Sequence, residues 1–209
     1  CPFKAKLKFI DRLPEPSAPA MARGTMIHKL AETALKAPRL IVPPELKSVK
    51  AALVGLRRRK AQVELELCLT SAWVKTGWFD ANAWLRIKID AIAAHDRHHR
   101  VVEVVDWKTG KYRPDNQEYG LQLELYGAGT LAAYPHAEEV HTALHFTDHP
   151  QTEAPPVKAT FTRRDLPELI QAWEGRIRPV LADTRFAPRP GWYCHYCHFR
   201  KANGGPCKF

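Results

Sequence analysis

The 209-residue chain reads as an α/β or α+β protein. Three observations predict that class. Apolar and polar residues alternate through QVELELCL at 62–69, the period of a half-buried strand. RVVEVVDW at 100–107 is a short Val-rich run, which suits a central strand covered on both faces. In GTMIHKLAETALK at 24–36, Met26, Ile27, Leu30, Ala31, Ala34 and Leu35 recur at helical spacing.

The remaining elements follow in chain order. Residues 45–60 predict a second helix, very basic at its end (Arg57-Arg58-Arg59-Lys60). After strand 62–69 comes a long strand over 82–95, with Trp84, Ile87 and Ile89 among its apolar positions, and then the Val run. Thr109-Gly110 turns the chain. A helix over 116–133 follows Pro114, with Asp115 as its expected cap. Strands near 138–147 and 157–162 precede a last helix at about 165–182. Pro-rich linkers fall at 13–19, 38–44, 150–156 and 186–190, and there is no internal repeat.

Composition narrows the function classes. With 45% hydrophobic and 26% charged residues the chain is an ordinary globule, not a disordered one. No apolar run approaches the ~20 residues of a spanning helix, so no membrane role is expected. The N-terminal CPFKAKLKFIDRLP has no sustained apolar stretch, so a cytoplasmic location is expected. Lys and Arg number 32 against 22 Asp and Glu, a net charge of +10. The excess is uneven: residues 1–60 hold 14 basic and 4 acidic side chains, 61–190 hold 15 and 18, and 191–209 hold 3 and none. Basic flanks around a slightly acidic middle point to a polyanion, most simply nucleic acid, with a lysine-rich solvated surface as the bland alternative.

Five cysteines are present. Cys68, inside the alternating strand, reads as core. Cys194 and Cys197 are spaced to grip one metal centre, and Cys207 follows after the turn Asn203-Gly204-Gly205-Pro206. A fourth ligand must come from elsewhere, and Cys1 is the candidate. Four thiolates hold a [4Fe–4S] cluster or a structural Zn2+, and His195 and His198 keep a Cys3His zinc site open.

The other chemistry sits where two strands meet. Asp90 lies in IKIDAI, and Asp106 and Lys108 end the Val-rich strand in VVDWKTG. A carboxylate in an apolar strand is costly unless paired. Two of them on neighbouring strands can converge on a hard divalent cation such as Mg2+ or Mn2+. Lys108, two residues after Asp106, shares its face. Two acids, a metal and a lysine suit phosphodiester hydrolysis. The other acid-x-Lys, Glu45–Lys47, sits on an expected surface helix and reads as a decoy. Glu64 and Glu66 read as solvent-facing, with one of them a candidate outer acid of the site.

VVDWKTGKY, preceded by an Asp-bearing strand and followed by LQLELYGAG, resembles the PD-(D/E)xK nuclease superfamily. More narrowly it is similar to the RecB-like branch, including CRISPR-associated RecB-like exonucleases, which carry one cysteine before the nuclease core and three after it. The N-terminal CPFKAKLKFID resembles that branch's Cys-Pro start and basic, aromatic helix. The resemblance covers essentially the whole chain. It implies one nuclease domain with a mixed β-sheet flanked by helices, a restriction-endonuclease-like core. Within it, 1–60 would be a basic helical part, 61–163 the core, and 164–209 a C-terminal helix and cysteine segment that the cysteines clip to the N-terminus.

The resemblance also implies roles. His28, Asp90 and Asp106, with the Trp107 carbonyl, would hold Mg2+ or Mn2+, and Lys108 would orient the attacking water. Gln122 and Tyr126, four apart on one helix face, match a Gln-x-x-x-Tyr element that meets the nucleic-acid backbone or braces the lysine. Cys1, Cys194, Cys197 and Cys207 would hold a structural [4Fe–4S] cluster, with Zn2+ as the alternative, and Arg57, Arg58, Arg59 and Lys60 would guide DNA. The family usually has Gly three residues before the first Asp, where this chain has Ile87. The expected activity is a DNA exonuclease acting on single strands or free ends in recombination, repair or end processing, in a bacterial cell or phage-infected host. The rivals are a non-catalytic nucleic-acid-binding module with structural zinc and an iron–sulfur sensor.

Overall fold

The computed structural model describes residues 1–16 and 19–209. Positions 17–18 of the Pro-rich 13–19 stretch lie outside the described residues. The chain divides into two compact units, one of Ala20–Trp173 and one of Cys1–Pro19 with Glu174–Phe209. Its helices are α1 (Pro2–Ala5), α2 (Pro19–Lys36), α3 (Lys50–Arg58), α4 (Gln117–Ala133) and α5 (Leu166–Leu181). Its strands are β1 (Gln62–Leu69), β2 (Lys75–Thr76), β3 (Leu85–Ala94), β4 (Val101–Lys108), β5 (Glu139–Phe146) and β6 (Val157–Thr162).

In the larger unit the six strands form one mixed sheet, order β2-β1-β3-β4-β5-β6. Only β4 and β5 pair in parallel, from Val101↔Glu139 to Lys108↔Phe146. A parallel pair needs a crossover, and α4 is that connection. One face of the sheet packs on α2 and α3, through Ile27, Leu35, Leu53 and Leu56 against Ala91, Val105 and Trp107. The other packs on α4, through Leu123, Tyr126 and Leu131 against Leu67, Ile87, Ile89 and Val104. Leu166, Leu169, Ile170 and Trp173 of α5 join that second cluster. Covered on both sides, β4 is the buried Val-rich strand its sequence predicts.

The sheet forks at one place. The β3–β4 ladder runs from Ala94↔Val102 to Ala91↔Val105 and stops, although β3 reaches back to Leu85 and β4 on to Lys108. At the fork β3 changes phase: Ile87 and Ile89 face α4, whereas Ala91 and Ala93 face α2 and α3. Asp90 sits at that change. Across from it, between Val63↔Ala91 and Leu65↔Ile89, Glu64 adopts a left-handed φ of 51°. Such a conformation is strained for a residue with a Cβ, and strained backbone clusters at functional sites.

Helix α4 is buried over most of its circumference, which is why it lacks an amphipathic stripe. It lies close on the sheet because two positions have no side chain. A Cβ on Gly127 would fall 2.3 Å from the Phe161 ring, and one on Gly129 would fall 2.4 Å from Ile87 Cδ1. Ile87, which replaces the family's glycine, therefore packs beneath α4 against a glycine of the helix.

Several boundaries differ from expectation. The cap of α4 is Asn116, whose side chain accepts the Glu118 N–H at 3.1 Å, not Asp115. Residues 44–49 form a tight 3₁₀ turn before α3, where a continuous helix was expected. Strand β3 starts at Leu85 and not at 82, because Asp80 holds a turn by accepting the Asn82 N–H at 2.7 Å. The two-residue β2 is too short to leave a periodic signal.

The smaller unit has little regular structure. α1 runs into a wide helical turn at Lys6–Ile10, and Trp192–Tyr196 and Lys201–Asn203 are single 3₁₀ turns. Arg200 and Cys207 form an isolated bridge, closed by Gly204 at φ 81°. A Cβ on Gly205 would meet the Phe199 backbone at 2.2 Å, so only glycine fits there. No described helix is long and apolar enough to cross a membrane.

Candidate active site

The fork places Asp90 and Asp106 just beyond the last β3–β4 pair, Ala91↔Val105. Asp90, 9% exposed, uses its side chain to replace the missing ladder acceptor: Oδ2 accepts the Trp107 N–H at 2.7 Å. Its other oxygen lies 2.9 Å from His28 Nδ1, presented by α2. That hydrogen bond raises the His28 pKa, against the opposing effect of burial. Glu64 completes the group, since one ligand atom each from His28, Glu64 and Asp90 lies within 4.8 Å of the others. Burial, then the neighbouring Asp90 charge, pushes the Glu64 carboxyl up.

Asp106, 4% exposed, faces α4. Its Oδ1 accepts the Tyr126 O–H at 2.6 Å and a Gln122 Nε2–H at 3.0 Å, and Gln122 also donates to the Tyr126 oxygen at 2.8 Å. The four-residue spacing of Gln122 and Tyr126 makes this shared grip geometrically natural. Oδ2 accepts no aligned hydrogen bond, although the Lys108 ammonium lies 2.8 Å away as an ion-pair partner. Burial, then Asp90, raises the Asp106 pKa, while Lys108 and Tyr126 pull it down. The Tyr126 phenol is itself held neutral by burial beside Asp106.

The family model of the PD-(D/E)XK nuclease superfamily matches residues 1–202. The chain belongs to this superfamily. Membership in a superfamily of metal-dependent nucleases implies a nucleic-acid substrate and a divalent cation. No curated protein matches the chain. Among solved structures, the crystal structure of SSO0001 aligns at 17% identity and a TM-score of 0.47, over 100% of this chain and 82% of that one.

The donor set of this PD-(D/E)XK chain fits a hard cation. It offers carboxylate oxygens and one imidazole in a compact group, plus a buried Asp106 oxygen without an aligned donor. Sequence reasoning puts His28 on a helix, Asp90 on one strand and Asp106 with Lys108 on another, and the structure connects them as His28–Asp90 and Asp106–Lys108 pairs at one fork. Trp107 contributes its N–H to Asp90 while its ring is core. Glu64 is exposed, as the sequence reading expects, and of Glu64 and Glu66 it is the one that stands beside the site. Its alternation signal says which side of β1 it takes, and only the register with Asp90 says what it meets.

The basic run divides by role. The Arg57 guanidinium donates to the Leu35 and Pro38 carbonyls at the end of α2, and Arg59 pairs with Glu103. Arg59 and Lys60 line a cavity at the β3–β4 turn with His98, His99 and His136.

In the smaller unit Cys1, Cys194, Cys197 and Cys207 line one cavity of about 310 Å³, together with Phe3, Leu7 and Phe199. The Arg189 N–H donates to Cys1 Sγ and the Gly191 N–H to Cys194 Sγ, each at 3.4 Å. Cys68 is core, 1% exposed. His195 lies 3.4 Å from Arg200 Nη1, and His198 packs on the Phe199 ring.

Proposed function

We propose that the protein is a Mg2+- or Mn2+-dependent DNA exonuclease of the RecB-like branch, acting on single strands or free ends, with a structural [4Fe–4S] cluster on its four terminal cysteines. The observation that carries the nuclease reading is the fork itself, where two buried carboxylates, a histidine and a lysine meet beyond the end of the β3–β4 ladder. His28, Asp90 and Asp106, with the Trp107 carbonyl and Glu64, would hold the divalent ion. When bound, the ion neutralises phosphate charge and makes water a stronger nucleophile at neutral pH.

The chain's own groups account for the rest. Tyr126 and Gln122 fix the Asp106 carboxylate by two donors to one oxygen, leaving Oδ2 to the Lys108 ammonium alone. Lys108 stands beside that oxygen, placed to orient the attacking water and balance charge at the phosphate. Asp90 takes the His28 hydrogen bond and keeps the imidazole oriented.

Four cysteines and neither histidine line the cysteine cavity, which favours an all-thiolate centre over a Cys3His zinc site. Two backbone N–H groups donate to its sulfurs, as suits ligating thiolates. A cluster would tie the two chain ends together and stabilise the fold. Recombination, repair or end processing is the setting this activity suits.

The test is digestion of end-labelled single- and double-stranded DNA with Mg2+ or Mn2+, alongside Asp106→Ala and Lys108→Ala. Release of mononucleotides or short fragments from an end, lost in both variants, is expected. A wild type that cuts no DNA under either metal overturns the nuclease reading. Iron and sulfide analysis of anaerobically purified protein decides cluster against zinc.

A further inference from the structure

The smaller unit carries a surface that a cysteine clip does not need. Trp192 is 68% exposed, Tyr196 82% and Phe9 71%. Trp192 meets Tyr193 and Tyr196 edge-on, with interplanar angles of 70° and 77°, so neither contact covers its ring by flat stacking. Rings that shield a metal centre are buried, as Phe199 is at 2%. Trp192 and Tyr196 leave most of their area to solvent, although they stand at the rim of the cysteine cavity. Open aromatic area of this kind marks a binding surface.

Charge identifies the occupant. Residues 1–19 and 174–209 hold 11 basic and 4 acidic side chains, so this unit carries +7 of the chain's net +10. Lys4 and Arg200 line the same cleft as Trp192 and Tyr196. Lys8 and Lys208 lie over the Phe9 and Phe209 rings at 5.5 and 5.3 Å; Lys4 and Lys8 share Glu15 as an ion-pair partner, which leaves one net positive charge on that trio. Open rings interleaved with cations are what a single nucleic-acid strand requires: bases stack on any aromatic face, and the backbone is tracked by positive charge. A duplex keeps its bases stacked on each other and has no free faces to offer. An apolar protein partner would not call for the cations.

We propose that the aromatic rim of the cysteine unit, centred on Trp192 and Tyr196, is a binding surface for unpaired nucleotides of a single strand, separate from the carboxylate site. This rests on the nucleic-acid substrate of the superfamily and not on the exonuclease reading. It predicts that the protein recognises single-stranded DNA before and apart from cutting it.

The test uses the anaerobically purified full chain without added divalent metal, with oligo(dT) and a blunt duplex of equal length as probes. Trp192→Ala is expected to weaken oligo(dT) binding roughly tenfold and the Trp192→Ala/Tyr196→Ala pair further, with duplex binding little changed. Oligo(dT) should also quench the fluorescence that is lost in Trp192→Phe, a readout that misfolding does not mimic. Both side chains are exposed, so the thermal midpoint should hold in the variants. Unchanged oligo(dT) affinity in the double variant, or an equal loss for duplex, overturns the proposal. A change in oligomeric state without a change in oligo(dT) affinity also overturns it and makes the rim a protein contact. Failure of the end-labelled digestion with intact oligo(dT) binding would remove the nuclease reading alone.

Discussion

Replacing Asp106 with asparagine should make the metal-free protein more stable. In the native protein its carboxylate is 4% exposed, one oxygen lacks an aligned donor, and Asp90 adds a second negative charge that helps raise its pKa. Asparagine keeps the oxygen that takes the Tyr126 and Gln122 bonds and removes the charge. The Lys108 side chain loses its partner, but at 28% exposure it can turn to water. Removing one partner of a buried pair is destabilising when the other charge stays buried, but Lys108 can reach water, so relief of the Asp106 desolvation and of its repulsion with Asp90 outweighs the lost attraction, by about 1–2 kcal/mol. At ~2–4 °C per kcal/mol for a chain of this size, the thermal midpoint should rise roughly 2–8 °C. An acid with a raised native pKa holds its proton more tightly when folded. Its destabilising effect is therefore absent in acid and grows as pH rises from the ordinary carboxylate range through the raised value. The asparagine advantage should disappear at low pH. Divalent metal reverses the order: at a hundredfold excess over Kd it adds about 2.7 kcal/mol to the wild type, and much less to the variant. Scanning calorimetry with and without Mn2+ measures both effects. A metal-free variant clearly less stable than wild type, or an equal metal-induced rise in both, would refute the reasoning.

Four further outcomes follow from the same geometry. The raised His28 pKa stabilises the fold below the ordinary histidine range and loses that contribution as pH climbs through the raised value; because metal must displace the proton, the Mn2+-induced rise in midpoint should grow with pH across this window, and His28→Gln should flatten the trend. Glu64→Gln should weaken the Mn2+ effect on the midpoint while leaving metal-free stability nearly unchanged, since the carboxyl is only partly buried and its removal relieves repulsion with Asp90. Gly129→Ala should cost about 1–3 kcal/mol by overpacking, and Ile87→Val in the same chain should recover part of it; additive effects in a denaturant double-mutant cycle would show that the two positions do not meet. Arg57→Ala should cost about 1–2 kcal/mol through two lost carbonyl contacts, whereas Arg58→Ala should cost almost nothing, as urea midpoints would show.

The strands of the sheet were legible because burial imposes a simple period. The alternation in β1 and the Val run of β4 each report how many faces are covered, and both elements fall within a residue of where the pattern puts them. The α4 cap was misplaced because Asp115 and Asn116 offer similar side-chain oxygens, and backbone geometry chooses between them. The acid-x-Lys pair could be singled out because an ionised group in an apolar strand needs a reason. Glu64 could not, because nothing local distinguishes it from Glu66, two residues on in β1, which pairs with Lys88 of β3. Their difference lies in register, a long-range property. The basic run was read as one patch from charge alone, yet Arg57 and Arg59 are engaged by carbonyls and a carboxylate contributed from distant parts of the chain.

The hydrogen bond from the Trp107 amide to Asp90 gives the site a second dependence. The carboxylate at position 90 completes the sheet as well as belonging to the proposed metal group, so removing it strands a buried amide that no strand partner can reach. Under the proposed reading, alanine at position 90 would damage scaffold and chemistry together, and a catalytically silent descendant that kept its fold would retain an acceptor such as asparagine there. Position 106 carries no such debt to the backbone. For trapping an uncut nucleic-acid complex, Asp106→Asn is accordingly the change that leaves the architecture whole.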